Sequence, residues 1–418
     1  MFRILVTLIL LLPTAALAET YGECRSRLLV AYQASDFKTM ATVANECLSV
    51  RPDYPGMLYN LALAQTLAGN TDAAMQTLFD LAERSLVFDI SAEPFASLAE
   101  HPRHVELVQR FEVISAAFGT ATIAFEYDER DFVPEGIAFD ERDGTLYLGS
   151  IHKSKIIHIQ ANGVQTLFAS AFQWSVFGMR IDPQRDELWV ATAAIAQGTD
   201  TPEQELGETA ILRYSLRNGS LLRRYPLHRS NERGQVLGDL ILIETGIYTT
   251  DSLSGAVYRL DPTAGKYETI VATGKLHSPQ GLVASADNKY LYIADYTGGL
   301  FRLNLDNHEL HRVSAPANSV LYGIDGLYRH GNDLIAIQNG IQPHRVTRIE
   351  LNETGDAVTA TEILASGLNE FDEPTLGQVV EHDLLLVANS HWNRFNAENQ
   401  LVNAKDLAGP IILRINLE

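Results

Sequence analysis

The protein has 418 residues, of which 46% are hydrophobic and 20% are charged. This is ordinary globular composition with enough apolar material for a sizeable core, so a disordered chain is excluded. With 32 basic and 52 acidic residues, the formal net charge is −20. Because nucleic-acid binders and proteins of anionic membrane surfaces need basic patches, the charge argues against both kinds of partner.

The first residues of the chain predict export. Arg3 precedes an apolar run from Ile4 to Ala16, and small residues at positions 16 and 18 form a cleavage site. This is the pattern of a secretory signal peptide over 1–18, and the apolar run is too short to span a bilayer comfortably. We expect a mature chain that is periplasmic or secreted and has no membrane span, with an uncleaved anchor as the alternative.

The sequence contains two cysteines, Cys24 and Cys47, and both follow the predicted cleavage site. In an oxidising compartment two cysteines are expected to form one disulfide. Two buried free thiols are the alternative. The helix arrangement described next favours the disulfide.

Residues 19–115 carry helix-type periodicity and contain a repeat. Two matching segments, 35–37 and 69–71, lie 34 residues apart, each between two apolar-periodic stretches. The small residues around 60–64 resemble the tetratricopeptide pattern, so we expect tetratricopeptide-like helix pairs over 22–86.

In these helix pairs, Cys24 begins one helix and Cys47 lies near the end of its antiparallel partner, which places the two thiols side by side. Helix-pair repeats usually bind peptides or proteins, so this domain is a candidate docking surface for a protein partner. The alternative role is a packing appendage.

From about residue 120 the pattern changes to short alternating runs separated by turn residues. The pattern recurs six times, and the first strands of the copies begin at Pro134, Phe177, Gly238, Gln280, Asp325 and Thr375. Four antiparallel strands repeated six times predict a mainly β protein, a six-bladed β-propeller over 120–418. Residues 121–127 are expected to form the outer strand of the last blade and to pair with 411–417, which closes the ring.

In a propeller the first strand of every blade starts at one end of the central channel. Three of the residues expected there carry side-chain oxygens: Glu135, Gln280 and Asp325. Crowded carboxylates repel each other unless a cation lies between them, and oxygen ligands suit Ca²⁺, Mg²⁺ or Mn²⁺. A water-filled channel with solvated carboxylates is the alternative.

Several motifs of the predicted propeller resemble one family. Pro-Glu-Gly at 134–136, Ser-Pro-Gln-Gly-Leu at 278–282, Asp-Gly-Leu at 325–327 and the segment ending at Asp295 are similar to motifs of the gluconolactonase, regucalcin and senescence-marker propellers. The broader superfamily includes paraoxonases and strictosidine-synthase-like proteins. The resemblance covers the predicted propeller and not the helical domain.

The resemblance implies a metal-dependent hydrolase of a lactone or ester. It implies a divalent cation, in the first place Ca²⁺, held by Glu135, Gln280 and Asp325, with Asp325 also activating water. The sequence departs from the family pattern at two positions: Gln280 replaces an asparagine, and Gly238, followed by Asp239, replaces a substrate-side asparagine. The second change removes a hydroxyl contact, so a sugar-acid lactone is not the expected substrate.

Further residues are predicted near the site. His152 and His391 lie on loops of neighbouring blades, and paraoxonase-like lactonases imply a proton shuttle there, with His152 as a second catalytic residue. Exposed loop histidines are the alternative. A substrate with some hydrophobic surface is indicated by aromatic residues among the predicted pocket residues, which are Asp239, Asp251, Asp295, Trp174, Phe177, Trp392 and His391.

The rival hypothesis is a non-catalytic propeller that binds a small ligand or a protein partner, with the helical repeats as docking surface. The two hypotheses predict different channels. Oxygens of Glu135 and Asp325 that converge on one position favour the metal-dependent enzyme, whereas splayed carboxylates or an arginine that fills the channel favour the scaffold.

Overall fold

The structure is a computed structural model that describes residues 20–170, 174–229 and 234–418. These residues form two compact units, one containing 20–78 and 91–101 and the other containing 79–90 and 102–418. The predicted signal peptide lies outside the described residues. Within the described ranges, none of the helices combines the length and the hydrophobicity needed to cross a membrane.

The helices lie in the N-terminal part of the chain. The α-helices of the described residues are α1 (Tyr21–Gln33), α2 (Phe37–Val50), α3 (Pro55–Leu67), α4 (Thr71–Glu83) and α5 (His104–Ser115). Short 3₁₀ helices span Glu93–Glu100, Glu203–Glu205, Trp392–Arg394 and Ala404–Asp406.

The first two helix pairs follow the predicted period. α1 and α3 begin at Tyr21 and Pro55, and α2 and α4 begin at Phe37 and Thr71, so both sets are offset by 34 residues. A capping box with Thr20 starts α1, because the threonine side chain accepts a hydrogen bond from the third residue of the helix. The helical region is confirmed, while its assignment to the tetratricopeptide class stays a prediction.

The predicted disulfide between Cys24 and Cys47 is present, with the two Cα atoms 5.6 Å apart. It joins α1 to α2, and both cysteines are fully buried in the apolar core of this unit beside Leu28 and Met40. The disulfide therefore links the two helices of the first pair at their packed face.

The second unit contains a six-bladed β-propeller, as predicted. The strand before the first blade is β1 (Thr122–Glu126). Blades 1 to 3 consist in turn of β2 (Pro134–Asp140), β3 (Thr145–Ser150), β4 (Lys155–Ile159) and β5 (Gln165–Ser170); β6 (Ser175–Asp182), β7 (Glu187–Ala193), β8 (Thr209–Ser215) and β9 (Leu221–Leu227); and β10 (Leu237–Ile243), β11 (Gly246–Asp251), β12 (Ala256–Asp261) and β13 (Lys266–Val271).

Blades 4 to 6 continue the pattern. They consist of β14 (Pro279–Ala284), β15 (Tyr290–Asp295), β16 (Gly299–Asn304) and β17 (Leu310–Arg312); β18 (Ile324–His330), β19 (Asp333–Gln338), β20 (Arg345–Leu351) and β21 (Val358–Ser366); and β22 (Gly377–Val380), β23 (Asp383–Val387) and β24 (Ile411–Asn416) with β1. In blade 6, β1 pairs antiparallel with β24 from Thr122 opposite Arg414 to Glu126 opposite Ile411. The predicted closure of the ring is therefore confirmed.

The inner strands approach one another closely at the start of each blade. In β2, β6, β10, β14 and β18 the pairing register shifts within the first residues, which marks a local bulge. A β-carbon at Gly136 would lie 2.0 Å from the carbonyl oxygen of Phe177 in the next blade, and one at Gly281 would lie 2.5 Å from the amide nitrogen of Leu327. Glycine is therefore required at these positions.

The disulfide generates a stability prediction for the helical unit. Replacing Cys24 and Cys47 together by alanine should lower the free energy of unfolding of this unit by about 3 kcal/mol, because the unfolded chain loses a cross-link across 23 residues. Denaturant unfolding followed by far-ultraviolet circular dichroism measures the change. Reductant should lower the free energy of unfolding of the wild type by the same amount and leave that of the double variant unaffected. A wild type whose free energy of unfolding does not change in reductant would contradict the prediction.

Candidate functional site

A cavity of about 310 Å³ opens at the end of the channel where the inner strands start. Its walls come from all six blades. The residues that line it are Glu135, Phe177, Ile195, Gln197, Val236, Gly238, Asp239, Ser252, Gln280, Tyr296, Asp325, Asn339, Glu373, Leu376 and Trp392. The structure thus brings the predicted ligands Glu135, Gln280 and Asp325 together in one cavity.

Glu135 lies in the bulge at the start of β2 and is 7% exposed. Its Oε2 atom accepts a hydrogen bond of 2.7 Å from Nε1 of Trp392. Trp392 belongs to the long loop between β23 and β24, so this contact ties that loop to the first blade.

Asp325 lies at the start of β18 and is 9% exposed. Its Oδ2 atom accepts a hydrogen bond of 2.7 Å from Nδ2 of Asn339, which follows β19 of the same blade. The other amide atom, Oδ1 of Asn339, is buried and has no hydrogen-bond partner among the described residues. A buried acceptor without a partner is costly, so this oxygen is suited to a ligand or a cation.

The cavity disfavours the ionised forms of its carboxyl groups. Burial raises the pKa of Glu135 well above its ordinary value, and the negative charge of Asp325 raises it further, against the hydrogen bond from Trp392. Burial likewise raises the pKa of Asp325, while the hydrogen bond from Asn339 opposes that rise. A third carboxyl group, that of Glu373, also has a pKa raised by burial. A bound cation would reverse these effects by compensating the charges.

Asp239 is 1% exposed and is one of the residues that line this cavity. Its Oδ2 atom pairs at 3.2 Å with Arg180, and its Oδ1 atom accepts a hydrogen bond from the amide of Leu240. Burial raises the pKa of Asp239, and the charge of Arg180 opposes that rise. Arg180 and Tyr328 line a separate cavity of about 400 Å³ toward the other ends of the inner strands. An arginine therefore does lie in the channel, but it does not line the cavity that contains Glu135 and Asp325.

Gln280 and Gly238, the two positions that depart from the family pattern, are in contact with each other. Nε2 of Gln280 donates a 3.1 Å hydrogen bond to Oγ of Ser278. A β-carbon at Gly238 would lie 3.6 Å from Oε1 of Gln280, an ordinary contact distance. The absence of a longer side chain at Gly238 thus leaves the space that the longer side chain of Gln280 occupies.

The predicted aromatic residues separate into two groups. Phe177 and Trp392 line the cavity, with ring centroids 6.5 Å apart and planes inclined by 30°. Trp174 does not line it among the described residues. Its ring packs in the core between the first two blades, Arg224 lies 4.0 Å above the ring centroid, and Nε1 donates to Glu205.

The structure places Asp251 and Asp295 outside the cavity lining. Both are fully buried at the ends of second strands, where they hold loops. Asp251 accepts hydrogen bonds from the backbone of 236 and 253–254. Burial acts to raise the pKa of Asp295, but hydrogen bonds from His277 and Ser278 outweigh it, so the pKa is lowered. These carboxylates have loop-capping roles.

The two predicted pocket histidines are engaged elsewhere. Nδ1 of His152 lies 2.7 Å from the carbonyl oxygen of Gln197, and its ring packs against Phe395. His391 is 3% exposed, with Nδ1 2.9 Å from Asp372. No hydrogen bond or ring contact joins the two histidines in the described part of the chain, and neither lines the cavity.

The repeat alignment places Asn339, Tyr296 and Glu373 at the channel mouth without giving them a role, and it does not indicate Gln197 or Ser252. All five lie in loops or at strand ends facing the channel mouth. Glu373 has a backbone φ of 64°, an uncommon conformation for a residue with a side chain. Glu373 lies immediately before Pro374, in the loop that enters the last inner strand.

The cavity residues fit a hard divalent cation by chemistry. Glu135, Asp325 and Gln280 supply oxygen atoms, and the unpartnered Oδ1 of Asn339 adds a fourth. In the described ranges, no group of three His, Cys, Asp or Glu side chains is placed to hold a metal ion. The predicted ligands Glu135, Asp325 and Gln280 are not a group of that kind, because they combine two carboxylates with an amide.

Comparison with known proteins supports the fold. No family model matches the sequence, and no curated protein matches it. A solved structure of a calcium-binding protein, regucalcin, from Agrobacterium tumefaciens is 14% identical, covers 71% of this chain and 93% of its own, and has a TM-score of 0.51.

Two further solved structures are similar at lower TM-scores. A gluconolactonase from Xanthomonas campestris is 18% identical over 73% of this chain and 93% of its own, with a TM-score of 0.48. Virginiamycin B lyase from Staphylococcus aureus is 14% identical over 72% of this chain and 100% of its own, with a TM-score of 0.45. The resemblance to gluconolactonase- and regucalcin-like propellers is confirmed at the level of the fold.

The raised pKa values predict a pH dependence of stability without metal. A carboxyl group whose pKa is raised on folding stabilises the fold below its unfolded pKa, and this contribution is lost as the pH rises through the folded pKa. In chelator, the melting temperature should therefore fall between pH 5 and pH 8, and Glu135→Gln should reduce the fall. Glu353→Gln, which changes an exposed carboxylate, is the matched control. If the melting temperature of Glu135→Gln depends on pH as that of the wild type does, the prediction is wrong.

The contact between Gly238 and Gln280 predicts a compensating pair. Gly238→Ala should be tolerated, whereas Gly238→Asn should displace the Gln280 amide and weaken Ca²⁺ binding by about 10- to 100-fold. Adding Gln280→Asn should restore part of the affinity because the shorter amide leaves room. Calorimetric titration with Ca²⁺ measures each step. Equal affinities for wild type and Gly238→Asn would show that the contact does not matter.

Proposed function

We propose that the protein is an exported, metal-dependent hydrolase of a lactone or ester, similar in activity to the gluconolactonases. The observation that carries the proposal is that Glu135 and Asp325, both buried, line one cavity together with the amides of Gln280 and Asn339. The regucalcin-like fold supports it, since that solved neighbour is described as a calcium-binding protein.

In this proposal Glu135, Gln280 and Asp325 hold the divalent cation, with Ca²⁺ as the first candidate and Mg²⁺ or Mn²⁺ as alternatives. When bound, the cation polarises the substrate carbonyl and compensates the negative charge that develops on its oxygen. Asn339 orients Asp325 through its 2.7 Å hydrogen bond.

Asp325 acts as the general base. Its carboxylate takes a proton from a water molecule while the water oxygen bonds to the carbonyl carbon, and the proton then passes to the leaving oxygen as the carbon–oxygen bond breaks. The sum is the addition of one water molecule to a lactone or ester. In this proposal His152 positions Gln197 at the cavity wall, through the contact between its Nδ1 atom and the carbonyl oxygen of Gln197.

The scaffold hypothesis retains one supporting observation, the Arg180–Asp239 pair in the channel. In that case the cavity binds a ligand without turnover and the helical unit docks a protein partner. We infer the hydrolase as the leading function because the arginine is neutralised by Asp239, whereas no arginine or lysine of the described residues lines the cavity of Glu135 and Asp325.

The metal and activity predictions are tested together. Purified protein should contain about one divalent ion per chain, and both Glu135→Gln and Asp325→Asn should lose it. Hydrolysis of a panel of lactones and esters should fall at least about 100-fold in Asp325→Asn, because the base is removed. Metal analysis by mass spectrometry and initial-rate assays provide the measurements.

The controls are Glu353→Gln and Asp306→Asn, which remove exposed carboxylates on outer turns and should keep both metal and activity. If Asp325→Asn keeps metal content and hydrolysis, the proposed mechanism is wrong. If the wild type binds no metal at saturating Ca²⁺ and hydrolyses nothing, the scaffold hypothesis replaces it.

A further inference from the structure

The cavity has one wall of aromatic rings and another of carboxylates. Phe177, Tyr296 and Trp392 contribute rings, and the ring centroids of Phe177 and Trp392 lie 6.5 Å apart with planes inclined by 30°. The indole N–H of Trp392 donates to Glu135, which leaves the face of the ring as the surface that it offers to a ligand.

The charges of the cavity are unbalanced. Asp239 is neutralised by Arg180, but Glu135, Asp325 and Glu373 have no arginine, lysine or histidine among the described lining residues. A divalent cation held by Glu135 and Asp325 compensates two of the three charges. The charge that remains is that of Glu373.

Glu373 is held in place at the cavity mouth. Its Oε2 atom accepts a 2.8 Å hydrogen bond from the amide of Asn393, in the same loop as Trp392. Arg394 in this loop pairs instead with Asp372 at 3.2 Å. The loop therefore presents a fixed carboxylate next to an aromatic face, without bringing a cationic side chain into the cavity.

We propose that this cavity selects a ligand with an organic ammonium group, which lies against the aromatic faces of Phe177 and Trp392 and faces Glu373. Aromatic faces attract cations through their quadrupoles, and a desolvated carboxylate adds to that attraction. An anionic ligand of the same shape is repelled by Glu373, and no arginine, lysine or histidine of the described lining residues is available to pair with it. For the reaction, this inference rests on the proposed function: the substrate is an ester or lactone that carries an ammonium group.

Binding tests the inference without turnover. Calorimetry on the full-length protein, in chelator and with Ca²⁺, compares benzyltrimethylammonium, uncharged benzyl alcohol and anionic phenylmethanesulfonate. The ammonium compound should bind at least about tenfold more tightly than the alcohol, and the sulfonate should not bind measurably. The affinity for the ammonium compound should fall as sodium chloride is increased. Equal or tighter binding of the sulfonate would overturn the inference.

The variant Glu373→Gln should lower the affinity for benzyltrimethylammonium about three- to tenfold and leave that for benzyl alcohol unchanged, with Glu353→Gln as the matched control. An unchanged ratio of the two affinities in Glu373→Gln would remove Glu373 from the proposal. If Glu373→Gln fails to fold, the salt dependence of the wild type decides the charge preference by itself.

A parallel assay separates this inference from the proposed function. Acetate esters of choline, of 3,3-dimethylbutanol and of a sulfonated alcohol contain the same ester bond. The first is positively charged, the second is neutral and the third is negatively charged. Faster hydrolysis of the neutral or anionic ester would contradict the ammonium preference while leaving the hydrolase intact. Tight binding of the ammonium ligand without hydrolysis of any ester or lactone would contradict the hydrolase while leaving the binding site intact.

Discussion

The close approach of the inner strands around the channel is the constraint on which the site depends. A β-carbon at Gly136 would overlap the backbone of the next blade, so the chain carries glycine where neighbouring blades touch. The bulges at these places turn the preceding residues, Glu135 and Gln280 among them, toward the channel mouth. The packing that closes the propeller therefore also gathers its polar side chains in one cavity.

Blade 3 shows what happens when this pattern changes. There glycine occupies position 238 and an acid follows at 239, so the carboxylate lies within the channel and pairs with Arg180. The bare Gly238 in turn makes room for Gln280. Gly238 thus leaves room for Gln280 while Asp239 pairs with Arg180, and both features separate this site from the pattern that the family resemblance implies.

Loop contacts complete the site. The hydrogen bond from Trp392 to Glu135 joins the long loop of blade 6 to blade 1, and the same loop holds Glu373 through the amide of Asn393. Because this loop supplies an aromatic face and fixes two carboxylates, it connects the chemistry proposed for Glu135 and Asp325 with the selection of the ligand.

The sequence by itself determined the six blades, the ring closure, the 34-residue helical period, the disulfide and the gathering of Glu135, Gln280 and Asp325, because these follow from periodicity and from symmetry of the repeat. Only the tertiary structure decided the roles of the strand-end acids. Asp251 and Asp295 were expected in the pocket, but their loops turn back and their backbone amides bind the carboxylates. Side-chain direction in irregular loops depends on such local hydrogen bonds, which repeat alignment does not specify.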